Sequence, residues 1–256
     1  MVLRVNVAQQ SLADYQARLA AEGIVATPVG DQGLVLAKPL AVGRLPGFDS
    51  GAVSVQDASP QMAAPLIWAS AYLQAAVTAG RPLRILDACA APGGKACHLL
   101  EHAPTAQVLA ADISSQRLEG LQENSARLKL PLDIKVVDAM QASATLSPKQ
   151  FDAILADVPC SATGVMRRNP DIKITRKASD IQTFSQQQRD ILAGLWPLVK
   201  PGGRLLYVTC SVLEAENDQV IEAAQSQLSQ CEVVPLTGQP GFKTRLGWQT
   251  LPSWDG

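Results

Sequence analysis

Short apolar segments alternate with helical patterns through most of the chain, and this alternation limits the fold more than any other feature of the sequence. Helical patterns cover residues 61–79, 184–199 and 214–228, and Ser114 caps another helix with Leu118, Leu121 and Leu128 on one side. Strand patterns occur at LRILDA (83–88), VLAAD (108–112), IKVVD (134–138), FDAILAD (151–157) and RLLYVTC (204–210), with CEVVPL (231–236) as a sixth candidate. Such alternation predicts β-α-β units and a mainly parallel sheet.

The first 50 residues have a different pattern. Ser11 and Asp14 form a capping-box pattern, and Gly23 can end the helix that follows. Two short apolar stretches (24–29 and 33–37) come next, before a turn-rich linker over 42–50. We therefore predict a small α+β subdomain over residues 1–50 and an α/β domain over residues 51–256.

Bulk composition excludes several classes of protein. The net charge of −1 excludes a globally basic nucleic-acid binder, so any RNA surface must be a local patch. The five cysteines form no C-x-x-C pair, which predicts reduced thiols and no metal site. His98 and His102 lie four apart with no third ligand, which indicates surface or packing residues. No secretory signal or membrane-length apolar run is found, so we expect a cytoplasmic protein.

Each main predicted strand ends at a chemically notable residue. These residues are Asp87, Asp112, Asp138, Asp157 and Cys210. Ligands of open parallel sheets bind beyond the carboxyl ends of the strands. A single aspartate there is an ordinary turn residue, but four acids together with a cysteine indicate a functional site.

The loop after the first strand of the sheet has the features of a cofactor site. It consists of Cys89, Ala90, Ala91, Pro92, Gly93, Gly94 and Lys95. It matches neither the dinucleotide G-x-G-x-x-G pattern nor a P-loop. Asp112 is suited to accept from ribose hydroxyls and Asp138 from an adenine amine. A nucleoside cofactor without a diphosphate, S-adenosylmethionine, fits this set and predicts a Rossmann-like methyltransferase fold.

Two cysteines are predicted at the same edge of the sheet, Cys160 after the fourth strand and Cys210 after the fifth. A thiolate that adds to carbon 6 of cytosine makes carbon 5 nucleophilic enough to accept a methyl group, and it leaves by elimination after carbon 5 loses its proton. Asp157 is placed to polarise the base, for which burial would have to favour its protonated form. Spacing does not decide which cysteine attacks. Cys97 and Cys231 are interpreted as small apolar residues, and Cys89 as a loop residue that provides shape.

At these residues the chain resembles the RNA cytosine-C5 methyltransferases, in particular the bacterial Sun/Fmu/RsmB type that modifies small-subunit ribosomal RNA. The motifs are DACAAPGGK (87–95), DVPCSATG (157–164) and TCS (209–211), with LRVN (3–6) and VQDASPQ (55–61) in addition. The resemblance implies that Cys210 is the nucleophile and that Cys160 assists product release. It also implies cofactor contacts from residues 89–95 and from Asp112, Asp138 and Asp157.

Two departures from the family pattern lead us to expect a fragment. The all-helical N-terminal domain resembling the antitermination factor NusB is not seen. The aromatic-rich final strand that follows in the family is not seen either, and its loss should expose a strand edge of the catalytic domain.

A basic segment follows the Cys160 loop and is the candidate RNA contact. It contains Arg167, Arg168, Lys173, Arg176 and Lys177. Cationic side chains beside the reactive site could hold phosphates, although a solvated loop has the same composition. Arg4 and Lys38 of the first subdomain are further candidates for contact with RNA.

Four alternatives are compared at this point. A DNA cytosine-C5 methyltransferase would use the cysteine of a Pro-Cys dipeptide, but the second cysteine at 210 argues against it. An amino methyltransferase would need an Asn/Asp-Pro-Pro-aromatic loop, which DVPC is not. A non-catalytic RNA-binding or ribosome-assembly factor could keep the same fold, and a methyltransferase could act on tRNA in place of rRNA.

Overall fold

The computed structural model describes residues 1–250 and contains two sheets and a short hairpin. The strands are β1 (Val2–Val5), β2 (Ala26–Val29), β3 (Gly33–Leu36), β4 (Val53–Val55), β5 (Arg84–Asp87), β6 (Gln107–Asp112), β7 (Asp133–Val136), β8 (Phe151–Asp157), β9 (Val199–Val208), β10 (Phe242–Lys243) and β11 (Trp248–Gln249). The helices are α1 (Leu12–Ala21), α2 (Ala58–Gln61), α3 (Ala63–Trp68), α4 (Ala71–Thr78), α5 (Gly94–His102), α6 (Ser115–Leu128), α7 (Ala142–Thr145), α8 (Ile172–Thr175), α9 (Ala178–Leu195) and α10 (Asp218–Gln227).

The larger sheet is five-stranded and parallel, in the order β7-β6-β5-β8-β9, which confirms the predicted α/β class. Successive side chains of a strand point to opposite faces. Leu86 of β5 therefore packs with Leu195 of α9 on one face, while Ile85 packs with Leu73 of α4 and Leu99 of α5 on the other. Helices cover both faces of the sheet. Because the strands are parallel, the acids and Cys210 at or just beyond their carboxyl ends lie at one edge.

The smaller sheet is antiparallel, in the order β2-β3-β1-β4, with α1 packed against it. Ser11 caps α1 by accepting from the Asp14 backbone N–H, as the capping-box pattern predicts. Tyr15 and Leu19 of α1 are fully buried in the core of this unit. Since β4 pairs with β1, the sheet continues to Val55, past the boundary expected at residue 50.

The small unit is joined to the α/β domain by a buried ion pair. Arg4 of β1 and Glu101 of α5 are both almost fully buried, and Arg4 Nη2 lies 2.8 Å from Glu101 Oε1. Arg4 also donates to the Gly94 carbonyl oxygen at 2.7 Å, at the start of α5. The prediction that Arg4 contributes to an RNA surface is therefore wrong, because its side chain is buried in the interface. The other candidate of this unit, Lys38, is exposed.

The two histidines of α5 belong to the same interface. Gln32, beside β3, accepts at Oε1 from His98 Nε2 at 2.8 Å and donates from Nε2 to His102 Nε2 at 2.6 Å. Burial lowers the pKa of His98 well below its usual value, so the ring is neutral. This agrees with the packing interpretation, and the His, Cys, Asp and Glu residues within 1–250 form no group of three that could hold a metal ion.

Several predicted elements differ from the structure. The single helix predicted over 61–79 is two short helices, α3 and α4, preceded by the last residue of α2 and separated at Ser70, whose backbone is extended. The sixth strand predicted over 231–236 is irregular, since Pro235 cannot donate to a ladder and the segment pairs with no described strand. The helix predicted over 214–228 is a 3-10 turn (Glu214–Glu216) followed by α10.

The outer strand β9 begins earlier than predicted and ends at Val208, so Thr209 and Cys210 lie just beyond it. None of its residues is fully buried, as expected for an edge strand. None of the helices found within residues 1–250 has the length and apolar character needed to cross a membrane.

Candidate active site

The carboxyl ends of three adjacent strands bring together an acidic cluster. Asp87, Asp112 and Asp157 end β5, β6 and β8, and Lys95 lies at the start of α5. Lys95 Nζ forms an ion pair with Asp157 Oδ2. Arg117 of α6 forms a second ion pair, with Asp112. Three acids beside two cations leave one negative charge in excess when all three are ionised, which favours a cationic ligand.

The loop over 89–95 is held against this cluster by Asp112. The backbone N–H of Ala91 donates to Asp112 Oδ2 at 3.3 Å, and Arg117 of α6 donates to the Ala91 carbonyl at 2.8 Å. Gly93 has φ +100°, and an added Cβ would lie 2.9 Å from Leu121 Cγ, so this turn accepts glycine only. The Ala91–Pro92 peptide bond is cis. Packing thus fixes the loop that the sequence identified as the cofactor site.

Asp87 is the least expected member of the cluster, because sequence reasoning marked it as a strand end and gave it no role. It is buried, and neither carboxylate oxygen has a hydrogen bond of normal geometry within the described chain, although the Cys89 backbone lies close enough to favour the charged form weakly. Burial, followed by the charge of Asp157, raises the pKa of Asp87 to about 7. A buried carboxyl without a partner is costly, which indicates that a ligand group pairs with it.

Asp138 lies beyond the end of β7 and is half-buried. Its Oδ1 accepts from the Met140 backbone N–H at 2.9 Å and so starts a 3-10 turn. Adenine recognition by Asp138 stays a prediction.

The two predicted reactive cysteines are adjacent. Cys160 Sγ and Cys210 Sγ are 3.3 Å apart, on the loops that follow β8 and β9. Gly164 permits this approach, because an added Cβ there would lie 2.8 Å from the Cys210 carbonyl oxygen. The loops can therefore share one hydrogen bond between their thiols.

The surroundings of the two sulfurs shift their pKa values in opposite directions. The hydrogen bond from Cys160 is the main cause that lowers the pKa of Cys210, and Lys95 acts in the same direction. The same hydrogen bond, together with burial, raises the pKa of Cys160 far above its usual value. These shifts favour the thiolate on Cys210, the more exposed of the two residues, and the protonated form on Cys160.

The other cysteines lack this environment. Burial raises the pKa of both Cys89 and Cys97 to about 12, which makes them inert thiols. Cys97 lies in the core as expected, and Cys231 is half-buried.

A cavity of about 390 Å³ opens at Cys210. Its lining includes Asp157 and Lys95, together with Asp57 and Trp248. The volume is within the range of small-molecule sites. A flat ring could therefore reach the Cys210 sulfur and the Asp157 carboxylate at once.

The predicted basic segment borders this cavity but does not act as one patch. Arg167 and Arg168 line the cavity, and Arg168 forms an ion pair with Asp57. Arg176 Nε donates to the Ser161 carbonyl at 3.0 Å, so it supports the Cys160 loop. Lys173 and Lys177 are exposed on α8 and just before α9. Only part of the segment is thus oriented toward the reactive site.

Sequence reasoning missed a buried polar pair that holds both cysteine loops. Glu216 accepts from the backbone N–H of Ser161 at 2.8 Å and from Ser211 Oγ at 2.6 Å. Asn217 accepts from Thr209 Oγ1 at 2.7 Å. The only signal in the sequence was their position six and seven residues after Cys210, where a helical pattern suggested exposed residues.

Comparison with known proteins identifies relatives over the whole chain. The family model described as 16S rRNA methyltransferase RsmB/F matches residues 78–254, and the RsmF/B-like ferredoxin-like domain matches residues 1–43. The chain is 44% identical over 264 residues to the ribosomal RNA small subunit methyltransferase B of Pasteurella multocida and 44% identical over 254 residues to that of Vibrio cholerae. These alignments cover 100% and 98% of the chain, but it spans only 56% of the length of each relative.

A solved structure supports the same relationship. The crystal structure of a methyltransferase homolog from Pyrococcus horikoshii is 27% identical, with a TM-score of 0.76 that covers 96% of this chain and 76% of that one. The fold, the motifs and the family match agree, and the chain belongs to the RsmB/F family of 16S rRNA methyltransferases.

Proposed function

We propose that the chain transfers a methyl group from S-adenosylmethionine to carbon 5 of a cytosine in RNA, and that the RNA is small-subunit ribosomal RNA. The observation that carries the proposal is the cysteine pair, whose sulfurs are 3.3 Å apart, with Cys210 lining the same cavity as Asp157 and Lys95. The relatives are named as methyltransferases of small-subunit ribosomal RNA, which supports the choice of substrate.

In this mechanism the chain's own groups act on the cytosine. The Cys210 thiolate adds to carbon 6, and the ring becomes an enamine whose carbon 5 is nucleophilic. Lys95 and Asp157 face the same cavity and can hold the N3 and amino edge of the base. Because Asp157 accepts from Lys95 here, the lysine ammonium is the donor in this state. Cys160, which keeps its proton, is placed to protonate the departing Cys210 sulfur after carbon 5 has lost its proton to a base.

The residues of the cluster fit S-adenosylmethionine. The loop over 89–95 would hold it, with Asp112 and Asp138 toward the ribose and adenine and Asp157 nearby. When bound, it supplies the electrophilic methyl group. The unpartnered carboxylate of Asp87 fits a cationic ligand, since pairing with a positive charge would offset its burial.

This fit predicts how cofactor affinity depends on pH. Asp87 must be ionised to attract a cation, and its pKa in the unliganded protein is about 7. Affinity should therefore fall as the pH drops below 7, by up to about tenfold per pH unit. Above neutrality it should level off until the cofactor's own α-amino group deprotonates near pH 8.

Isothermal titration calorimetry between about pH 5.5 and about pH 8 tests this dependence. Asp87→Asn should bind more weakly at high pH and lose the acid limb of the curve. Asp138→Asn is the matched control and should keep that limb. A flat curve for the unaltered protein would contradict the role of Asp87.

The proposal also covers the RNA contacts, the roles of the two subdomains and the location in the cell. The exposed cations Arg167, Lys173 and Lys177 are proposed to contact phosphates, together with Lys38 of the small subdomain. The proposed division places RNA contact in residues 1–50 and catalysis in residues 51–256, with β4 completing the first sheet. Action on ribosomal RNA places the protein in the cytoplasm.

Transfer of a labelled methyl group tests the function. The protein is incubated with methyl-labelled S-adenosylmethionine and transcribed 16S rRNA, a tRNA pool or duplex DNA, and the nucleosides are separated. Label in 5-methylcytidine from 16S rRNA supports the proposal. Label only in tRNA or in DNA would overturn the substrate, and no label despite measurable cofactor binding would favour a non-catalytic RNA-binding factor.

A further inference from the structure

Glu216 occupies an unusual position for a carboxylate. It is fully buried, and the ion pairs found within residues 1–250 do not include it. A buried charge without a counter-ion is costly unless hydrogen bonds compensate it. Its surroundings therefore have to supply donors.

Those donors come from both cysteine loops and from α9. Ser161, the neighbour of Cys160, donates its backbone N–H to Glu216 Oε1 at 2.8 Å and its hydroxyl to Oε2. Ser211, the neighbour of Cys210, donates its hydroxyl to Oε2 at 2.6 Å. Gln188 of α9 donates to Oε1 at 3.2 Å. One carboxylate thus joins the residues that follow both reactive cysteines.

A carboxylate is the side chain that matches this set of donors. Ionised, it offers about four acceptor sites and no donor. A glutamine in its place could keep the N–H donors at Oε1 only if both serine hydroxyls reversed to accept from its NH₂, and it would carry no charge to strengthen these hydrogen bonds. The site therefore distinguishes Glu from its nearest isostere.

Neighbouring contacts reinforce the same link. Gln188 also donates to the Pro159 carbonyl at 2.9 Å, on the other side of Cys160. Tyr207 Oη donates to the Glu216 carbonyl at 2.6 Å. Asn217 Nδ2 donates to the Ser211 carbonyl at 3.0 Å. The break between the Glu214–Glu216 turn and α10 allows both Glu216 and Asn217 to reach the loops.

We propose that Glu216 is a positioning residue, whose carboxylate sets the separation of the Cys160 and Cys210 sulfurs by holding Ser161 and Ser211 together. The inference deepens the proposed function and rests on it for its catalytic meaning. The geometry of the thiol pair, which is the structural part of the inference, can be measured without RNA or cofactor.

Two measurements on the whole chain report that geometry. The first is the rate at which the thiol oxidant diamide links Cys160 to Cys210; the two thiols lose two protons and two electrons, and diamide is reduced to the hydrazine. Peptide mapping by mass spectrometry identifies the bridge. The second is the pH profile of Cys210 alkylation by iodoacetamide, because the hydrogen bond from Cys160 favours the thiolate.

For Glu216→Gln we expect bridge formation to slow at least about tenfold and the alkylation profile of Cys210 to move to higher pH. Glu214→Gln is the matched control, since Glu214 is exposed on the same turn, and should change neither. Protection of the core thiol Cys97 verifies that each variant is folded. A folded Glu216→Gln protein with unchanged bridging rate and unchanged profile would overturn the proposal.

Ser211→Ala keeps the inference testable if Glu216→Gln does not fold. It removes one of the two loop contacts and leaves Glu216 with its donors from Ser161 and Gln188. We expect slower bridging with Cys97 still protected, and an unchanged rate would overturn the proposal. Absence of methyl transfer by the unaltered protein, with the expected thiol effects in both variants, would contradict the proposed function and leave the positioning role of Glu216 in place.

Discussion

Replacing Cys210 with alanine should abolish methyl transfer, with a fall in rate of at least about 10³-fold. The reason is that cytosine carbon 5 attacks the methyl group only after a nucleophile has added to carbon 6. Cys210 is exposed in the cavity and has a lowered pKa. Cys160 is less exposed than Cys210, so we do not expect it to take over the attack. Steady-state methylation of 16S rRNA measures the loss.

Cofactor binding separates a chemical role of Cys210 from a structural one. In Cys210→Ala the affinity for S-adenosylmethionine should stay within about tenfold of the unaltered protein, or about 1.4 kcal/mol. Cys231→Ala is the matched control, because Cys231 is half-buried and lies in an irregular segment; it should keep its activity. Parallel loss of activity and cofactor binding in Cys210→Ala would mean that the residue is structural.

Replacing Arg4 with methionine should destabilise the chain by about 3–5 kcal/mol. The substitution leaves Glu101 buried without its partner, and burial already raises the pKa of that carboxyl. The contacts of Arg4 with Gln56 and the Gly94 carbonyl are lost as well. Denaturant unfolding of the whole chain gives the free-energy change.

The second substitution distinguishes the cost of an unpaired charge from the loss of packing. Adding Glu101→Leu to Arg4→Met should recover most of the lost stability, since an apolar pair of similar volume often replaces a buried ion pair without cost. Lys38→Met, at an exposed position of the same subdomain, should change stability by less than about 0.5 kcal/mol. A change of that small size for Arg4→Met would contradict the buried ion pair.

The sequence predicted the elements whose signal is local. Strands such as FDAILAD and the Ser114-capped helix have strong patterns of apolar residues, and the structure contains both. The helix over 61–79 was mispredicted because its breaks depend on the extended backbone at Ser70, where Arg204 of β9 donates to the hydroxyl at 3.3 Å. That contact joins residues 134 apart in the chain and leaves no local pattern.

The candidate site likewise contains residues that the sequence predicted and residues that it did not. Asp112, Asp157 and both cysteines follow strands, so the topology alone brings them to one edge of the sheet. Arg4 was misread because a charged residue in a strand pattern is usually exposed, and its partner Glu101 lies 97 residues away. Glu216 escaped notice for a similar reason, since its donors lie on separate loops. The thiolate assignment needed the distance between the sulfurs, which spacing does not give.

Trapping the covalent adduct tests the central claim, that Cys210 attacks the base and Cys160 assists its release. Cys160→Ala protein is mixed with S-adenosylmethionine and unmodified 16S rRNA and resolved on a denaturing gel. We predict a protein–RNA band that disappears when Cys210 is also replaced by alanine. A Cys160→Ala protein that turns over normally without a band, or a band that survives the loss of Cys210, would contradict the account.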